Sequence, residues 1–354
     1  MAATTRRAMA AGAAVLLAGG LLGSPAHGAT SPEPTTVAKK LVSPLSMVVA
    51  RDGTAYVAQN FAGLLTAVAP GGRPEVVFAA PKKTEVGGLS EAGGTLRFTT
   101  TKGPRTALWS MRPGSKPKKV ADLAAHERTR NPDAQVAYGF EGGLDPACAA
   151  QMPPEVPPAY TGIVESHPYG TTVHKGTTYV ADAAGNTILA VKPNGKVSTL
   201  AVLPPVPVVI TPEAAAANKL PACTVGKTFN FEAVPTDVEV GKGGWLYVTL
   251  LPGGPEDGST GAQGRLVKVK VATGQVREVA SGFAGATGVA VAGNGDVYVA
   301  QLFGGQVSRI KAGTTTPRPY SEVMMPAAVE WADGDLYVSA QVLSEKPKGV
   351  VLRY

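Results

Sequence analysis

After its first 28 residues the chain holds three histidines, His126, His167 and His174, and two cysteines, Cys148 and Cys223. Side chains able to move a proton near neutral pH are therefore few. His167 stands two residues after Glu165, and both precede a strand-like run. Asp237 opens a comparable run later in the chain. An imidazole beside a carboxylate can act as an acid–base pair, so His167 with Glu165 or Asp237 is the weak catalytic candidate. His174 falls just before a Lys175-Gly176 turn, and His126 on a short helical stretch. The chain has no Gly-x-Ser-x-Gly elbow, no His-Glu-x-x-His, no phosphate loop and no dinucleotide fingerprint. Tyr160, His167, Tyr169, Phe229, Phe231, Glu232 and Asp237 combine aromatic faces, carboxylates and one imidazole, a set suited to a small polar-aromatic ligand. A purely structural reading competes with it: His167-Pro168 caps a strand, Asp237 satisfies turn amides, and the aromatics pack under inserted segments.

The elements that place these residues repeat. The clearest unit is His167–Val173, Thr177–Asp182, Thr187–Val191 and Lys196–Leu200, four short strands joined by tight turns. Its second strand recurs as Thr54–Ala58, Thr95–Thr99, Trp245–Thr249, Asp296–Ala300 and Asp335–Ser339, each after an Asp-Gly, Asn-Gly, Gly-Gly or Lys-Gly turn. Such turns supply the positive φ that tight hairpins need. The unit spacing of about 40 residues predicts an all-β, six-bladed β-propeller over residues 36–354. In that fold the inner strands and the loops leading into them form a channel mouth, where the candidate residues would meet.

Two segments, about 121–165 and about 204–233, interrupt the repeat and read as helix-containing loops rather than blades. Asp122–Arg128 suits a helix ending before Asn131-Pro132, and Thr211-Pro212 suits an N-cap and first turn ending near Asn218. Each insertion carries one cysteine. In an exported protein Cys148 and Cys223 are expected to form a disulfide closing a loop of about 75 residues, worth roughly 3–4 kcal/mol in a chain-entropy account; two unpaired thiols are the alternative. The last repeat ends at Tyr354 one strand short, and the segment 36–42 has strand character. It is expected to supply that strand and close the ring.

Residues 1–28 read as a signal peptide: Arg6-Arg7, an apolar run from Met9 to Leu22, and a small-residue site at Ala26-His27-Gly28. Export by the Sec route, or the twin-arginine route through Thr5-Arg6-Arg7, follows. Residues 29–35 read as a flexible N-terminus. Loss of Arg6 and Arg7 lowers the formal charge from +7 to +5, mild for this length. Nothing points to nucleic acid or to a membrane span, and a closed ring favours a monomer. No cofactor is expected. The alternative, Ca2+ or another divalent cation, is weakly supported by Asp182–Asn186 and Leu251–Ser259, which lack a full ligand set.

Tyr179–Ile188 followed by Pro193–Val197 resembles an NHL-type repeat. The stretches Asn131-Pro132-Asp133, Tyr138-Gly139-Phe140, Asp145–Cys148 and Tyr160–Tyr169 resemble the ScyD/ScyE family of secreted bacterial propellers. The resemblance spans nearly the whole mature chain. It implies an exported propeller and brings no activity with it. Six-bladed lactonases and streptogramin-type lyases are related in fold. The lactonases' Glu–Asn–Asn–Asp metal set has no counterpart here, and of the lyases' two histidines only His167 has one. The reading that follows is a secreted, non-enzymatic binding module for a small molecule, glycan or extracellular protein. A metal-dependent hydrolase or a lyase is the alternative.

Overall fold

The computed structural model describes residues 33–344 and 346–354. The signal-peptide reading of residues 1–28 therefore lies outside the described residues, as does most of the flexible-terminus reading. Six four-stranded antiparallel sheets follow one another along the chain. Their inner strands are Pro44–Val49, Glu85–Ala92, Pro168–His174, Pro235–Gly241, Ala286–Val291 and Val329–Ala332. Each packs on the next, and the sixth returns to the first, so the six blades form a ring around a channel. Local chemistry explains the blades. The hairpin turns are built on Gly53, Gly94, Gly176, Gly244, Gly295 and Gly334, all with positive φ.

Ring closure uses the N-terminus. Thr35–Leu41 pairs antiparallel with Gly349–Arg353, with Thr36 opposite Leu352 and Leu41 opposite Gly349. This is the outer strand of blade six, one residue earlier than the sequence suggests. It covers an edge that would otherwise offer unpaired amides.

The core lies between blades, because each sheet buries both faces against neighbours. Tyr179, Ala181 and Ile188 of blade three pack on Val238, Leu246 and Val248 of blade four. Ala38 and Leu41 join Met47, Val57 and Tyr337 across the closure. The repeated tyrosine of the second strand, Tyr56, Tyr179, Tyr298 and Tyr337, is buried in four blades.

The insertions differ from the loop reading. Together they build a seventh four-stranded sheet, in the order Ala159–Thr161, Ala137–Phe140, Thr228–Phe231, Val206–Val209. Its central pairing, Gly139 with Asn230 and Phe140 with Phe229, joins one insertion to the other. Strands of three or four residues carry no alternation long enough to be seen in sequence. The helices fall where expected. Leu123–Arg130 is capped by the Asp122 carboxylate and ends at Asn131 in the left-handed region, and Pro212–Ala217 is capped by the Thr211 hydroxyl.

Candidate functional site

In a blade of alternating strands, the turn between the second and third strands and the link to the next blade open on the same side. Both insertions and the loop 251–263 therefore share one face of the disc. Cys148 and Cys223 are disulfide-bonded there, with Cα atoms 6.0 Å apart. The bridge ties the one-turn helix Pro146–Ala149 to the second insertion. Beneath it lies a small core of Phe140, Ile210, Ala214, Ala215 and Phe229. Phe229 is buried, edge-on to Phe140 at 5.0 Å and beside Phe231 at 4.6 Å. It holds the sheet together and cannot face a ligand, which corrects the sequence reading. Replacing both cysteines by serine is expected to lower stability by about 4 kcal/mol, the loop-closure value for 75 residues. Thermal unfolding of the double variant against oxidised wild type measures this, and an unchanged Tm would sink it.

His167 stands at the channel mouth. Its Nε2 is 2.9 Å from Glu85 Oε2, and its ring stacks on Tyr169 at 4.9 Å and 11°. Both members of the pair are about one-third exposed, at 32% and 33%. The partner is thus Glu85, at the head of the blade-two inner strand, a residue sequence reasoning missed. Glu165 is exposed, and Asp237 is engaged elsewhere. The His167 position is fixed from behind: its amide donates to Asp182 Oδ1 at 2.6 Å, and the Ser166 hydroxyl donates to Oδ2 at 2.6 Å. Asp182, the last residue of its strand, thus serves as an acceptor that anchors the turn.

Tyr160 and Glu232 belong to a second, buried network. The Tyr160 hydroxyl lies near the Glu232 carboxylate, and its ring lies 5.3 Å from that of Tyr138. Asn186 Nδ2 donates to Asp133 Oδ2 at 3.0 Å and to Glu232 Oε2 at 3.3 Å, and Tyr138 donates to Asp133 at 3.1 Å. Burial pushes the Glu232 and Asp133 carboxyls above their ordinary values, against these donors. Glu127, in the first insertion helix, is raised to about 8 by burial and by the charges of Asp182 and Asp133.

Phe231 lies on the same face of the strand, packs against the edge of that core, and also borders a cleft of about 460 Å³. The cleft is walled by Val234, Leu251, Phe303 and the run Pro252–Gly258, with Glu256 and Asp257 on its rim. Phe303 is 42% exposed. Among the described residues none lining this cleft is Lys, Arg or His. Glu256 is near enough for its charge to act on Tyr169, which burial, Glu85 and Glu256 together push up to about 12. A smaller cavity runs from Tyr169 down to Ser46, Gly88 and Asp237.

Asp237 bridges two blades: Oδ1 accepts from Val238 N at 2.9 Å and Oδ2 from Val289 N of blade five at 3.0 Å. Burial raises its pKa to about 7 in spite of both donors. Two residues along, Glu239 shares the channel with Glu330 of blade six. Burial and mutual repulsion, reinforced by Asp237, raise both carboxyls. All three keep partial solvent exposure, with protein around them. Glu239 and Glu330 were not among the candidates. Their signal was the alternation Thr236-Asp237-Val238-Glu239, whose polar positions read as a solvent face. Among the described residues no three His, Cys, Asp or Glu side chains are spaced to hold a metal ion together.

No protein-family model matches the chain, and no curated protein does. Solved structures do match it in fold. A Thermus thermophilus protein assigned as an oxidoreductase (glucose dehydrogenase) aligns at 15% identity and TM-score 0.56, covering 91% of this chain and 99% of that one. The PQQ-bound aldose sugar dehydrogenase of Streptomyces coelicolor aligns at 14% and 0.53, covering 92% and 99%. The catalytically inactive virginiamycin B lyase of Staphylococcus aureus, solved with quinupristin, aligns at 11% and 0.51, covering 91% and 98%. At these identities the likeness is one of fold: this chain is a β-propeller.

Proposed function

We propose that this protein is an exported binding module that holds a small cationic molecule with a flat apolar body in the cleft beside the channel mouth. The observation that carries this reading is the cleft itself, which sets Phe231 and Phe303 opposite Glu256 and Asp257 with no basic residue in its lining. A chain of formal charge +7 has thus gathered acidic groups at one opening. Two aromatic faces bind a flat ring, and two carboxylates select a positive charge. Export is supported by the sequence of residues 1–28 and by the Cys148–Cys223 bridge, a bond that persists in oxidising compartments. Kinship with the secreted ScyD/ScyE propellers belongs to the same proposal. Residues of that resemblance, Asp133, Tyr138 and Tyr160, lie together in the buried network under the mouth.

Tryptamine and indole-3-acetate serve as paired probes, alike in ring and opposite in charge. Calorimetry is expected to show tryptamine binding in the millimolar range or tighter and indole-3-acetate binding at least tenfold weaker. The double substitution Glu256→Gln and Asp257→Asn should remove that difference. Equal binding of the two probes, or none, rejects the reading and leaves a glycan or protein partner as the occupant.

A second reading has its own observation. The His167–Glu85 pair is hydrogen-bonded, one-third exposed and stacked on an aromatic ring, so it could carry a proton between enzyme and ligand. The alternative of a hydrolase or lyase, with or without a divalent ion, rests on that pair. Turnover of a lactone or cyclic ester that survives His167→Ala removes the pair from it.

A further inference from the structure

Eight buried side-chain polar atoms lack a hydrogen-bond partner among the described residues, and four of them are oxygens of one neighbourhood. They are Glu127 Oε1, Asn131 Oδ1, Asp133 Oδ1 and Thr187 Oγ1. The first three come from the first insertion and the last from the blade-three turn that it covers. Glu127, Asp133 and Thr187 are 2%, 1% and 0% exposed. A buried oxygen without a donor forfeits its hydration, so such atoms are rare and ask for an occupant. Charge adds to the demand. Glu127, Asp133 and Asp182 lie close together, and among the described residues none of the three is in an ion pair.

One of these atoms, Thr187 Oγ1, meets the other oxygen of the Glu127 carboxylate and a backbone carbonyl beside Gly185. A methyl group on Gly185 would sit 3.2 Å from Glu127 Oε2 and 3.5 Å from both the Glu165 carbonyl oxygen and the Thr187 hydroxyl. Glycine leaves that point open, and its backbone lies outside the left-handed region, so conformation does not explain the residue. We infer that the space beside Gly185 is a divalent-cation site, suited to Ca2+, formed by the Glu127 carboxylate, the Thr187 hydroxyl and the Glu165 carbonyl, with Asp133 and Asp182 supplying further negative charge. Ca2+ accepts an irregular mixture of carboxylate, hydroxyl and carbonyl oxygens and draws them in to about 2.3–2.6 Å, whereas Mg2+ demands a near-ideal octahedron. The site needs only two or three carboxylates that need not all touch the ion, in keeping with the lack of a three-residue acidic cage. It is separate from the channel carboxylates. Its effect would be to fasten the insertion helix and residues 162–165 to blade three, directly behind His167.

The test uses the whole chain, stripped with EDTA and desalted. Adding CaCl2 to 1 mM is expected to raise Tm by about 5 °C, with about one ion bound per chain by calorimetry and a weaker effect from MgCl2. Gly185→Ala fills the space without changing charge, and Glu127→Gln removes a ligand. Each should lose the shift, while Glu239→Gln in the channel should retain it. Absence of Ca2+ uptake by the stripped wild type overturns the inference, as does uptake that survives both Gly185→Ala and Glu127→Gln. In either case water and a protonated Glu127 fill the space.

Discussion

Replacing Gly88 by alanine is expected to abolish the native ring and to leave little soluble protein. Gly88 lies on the inner strand of blade two, inside the irregular step between Val86 and Leu89. A Cβ there would overlap the Tyr169 carbonyl oxygen and fall 2.8 Å from the Gly170 carbonyl carbon, both on the inner strand of blade three. Neither neighbour is a side chain that can swing aside. The two backbones would have to part, and the Ser90–Thr171 hydroxyl contact of 2.9 Å beside them would break. Overpacking in a core typically costs 1–3 kcal/mol, and a clash of backbone against backbone exceeds that range, so a loss of about 4 kcal/mol or more is expected. Circular dichroism and unfolding of Gly88→Ala test this against Gly93→Ala. Gly93 is a turn glycine with open space around its missing Cβ and a positive φ, so it carries a conformational penalty alone. Equal stability of the two variants would show that inner-strand approach does not matter.

The sequence made local events readable and distant ones opaque. Asp52-Gly53 and Asn294-Gly295 declare their turns within two residues, and Thr211-Pro212 declares its helix within one. The pairing of Thr35–Leu41 with the last strand was readable as well, because a missing strand at one end and a spare strand at the other leave one solution. The seventh sheet was not, since Phe140 and Phe229 meet across 89 positions through strands too short to show a period. The same limit explains the site. His167 and Tyr169 belong together by simple alternation, but Glu85 reaches His167 only through the ring, from a different blade. Phe229 and Phe231 share one face of one strand, yet Phe229 is buried in the insertion core while Phe231, at the strand's end, also borders the cleft. Nothing local separates them, because the distinction is made by where the sheet ends. Glu239 and Glu330 show the reverse error. Their alternation is that of a strand with one wet face, and that face is the channel, where water is scarce and like charges meet.

Those channel acids give the second large effect, a stability that falls as pH rises. In the unfolded chain Asp237, Glu239 and Glu330 ionise near pH 4, the ordinary value for free carboxyls. In the folded chain Asp237 holds its proton to about 7, and Glu239 and Glu330 are raised through burial and repulsion. Between these limits the native state binds more protons than the unfolded state, so each unit of pH removes stability, about 1.4 kcal/mol per fully shifted group. The contribution is complete at about pH 4. For Asp237 it is gone by about pH 7, and for the other two it goes on falling above that. Water in the channel screens part of the repulsion, so a net loss of a few kcal/mol is expected between pH 5 and pH 8. Thermal unfolding in EDTA across that range should give a falling Tm, and Glu239→Gln should flatten the fall at its alkaline end. A Gln keeps the shape and the neutral state that the channel favours at low pH, so the variant should equal wild type at pH 5 and exceed it at pH 8. A Tm that instead climbs from pH 5 to pH 8 would mean that the three carboxylates are ionised together and held by a positive charge. That outcome would reject the neutral state argued for the channel, because burial and mutual repulsion alone would then not set the charge of these three carboxyls.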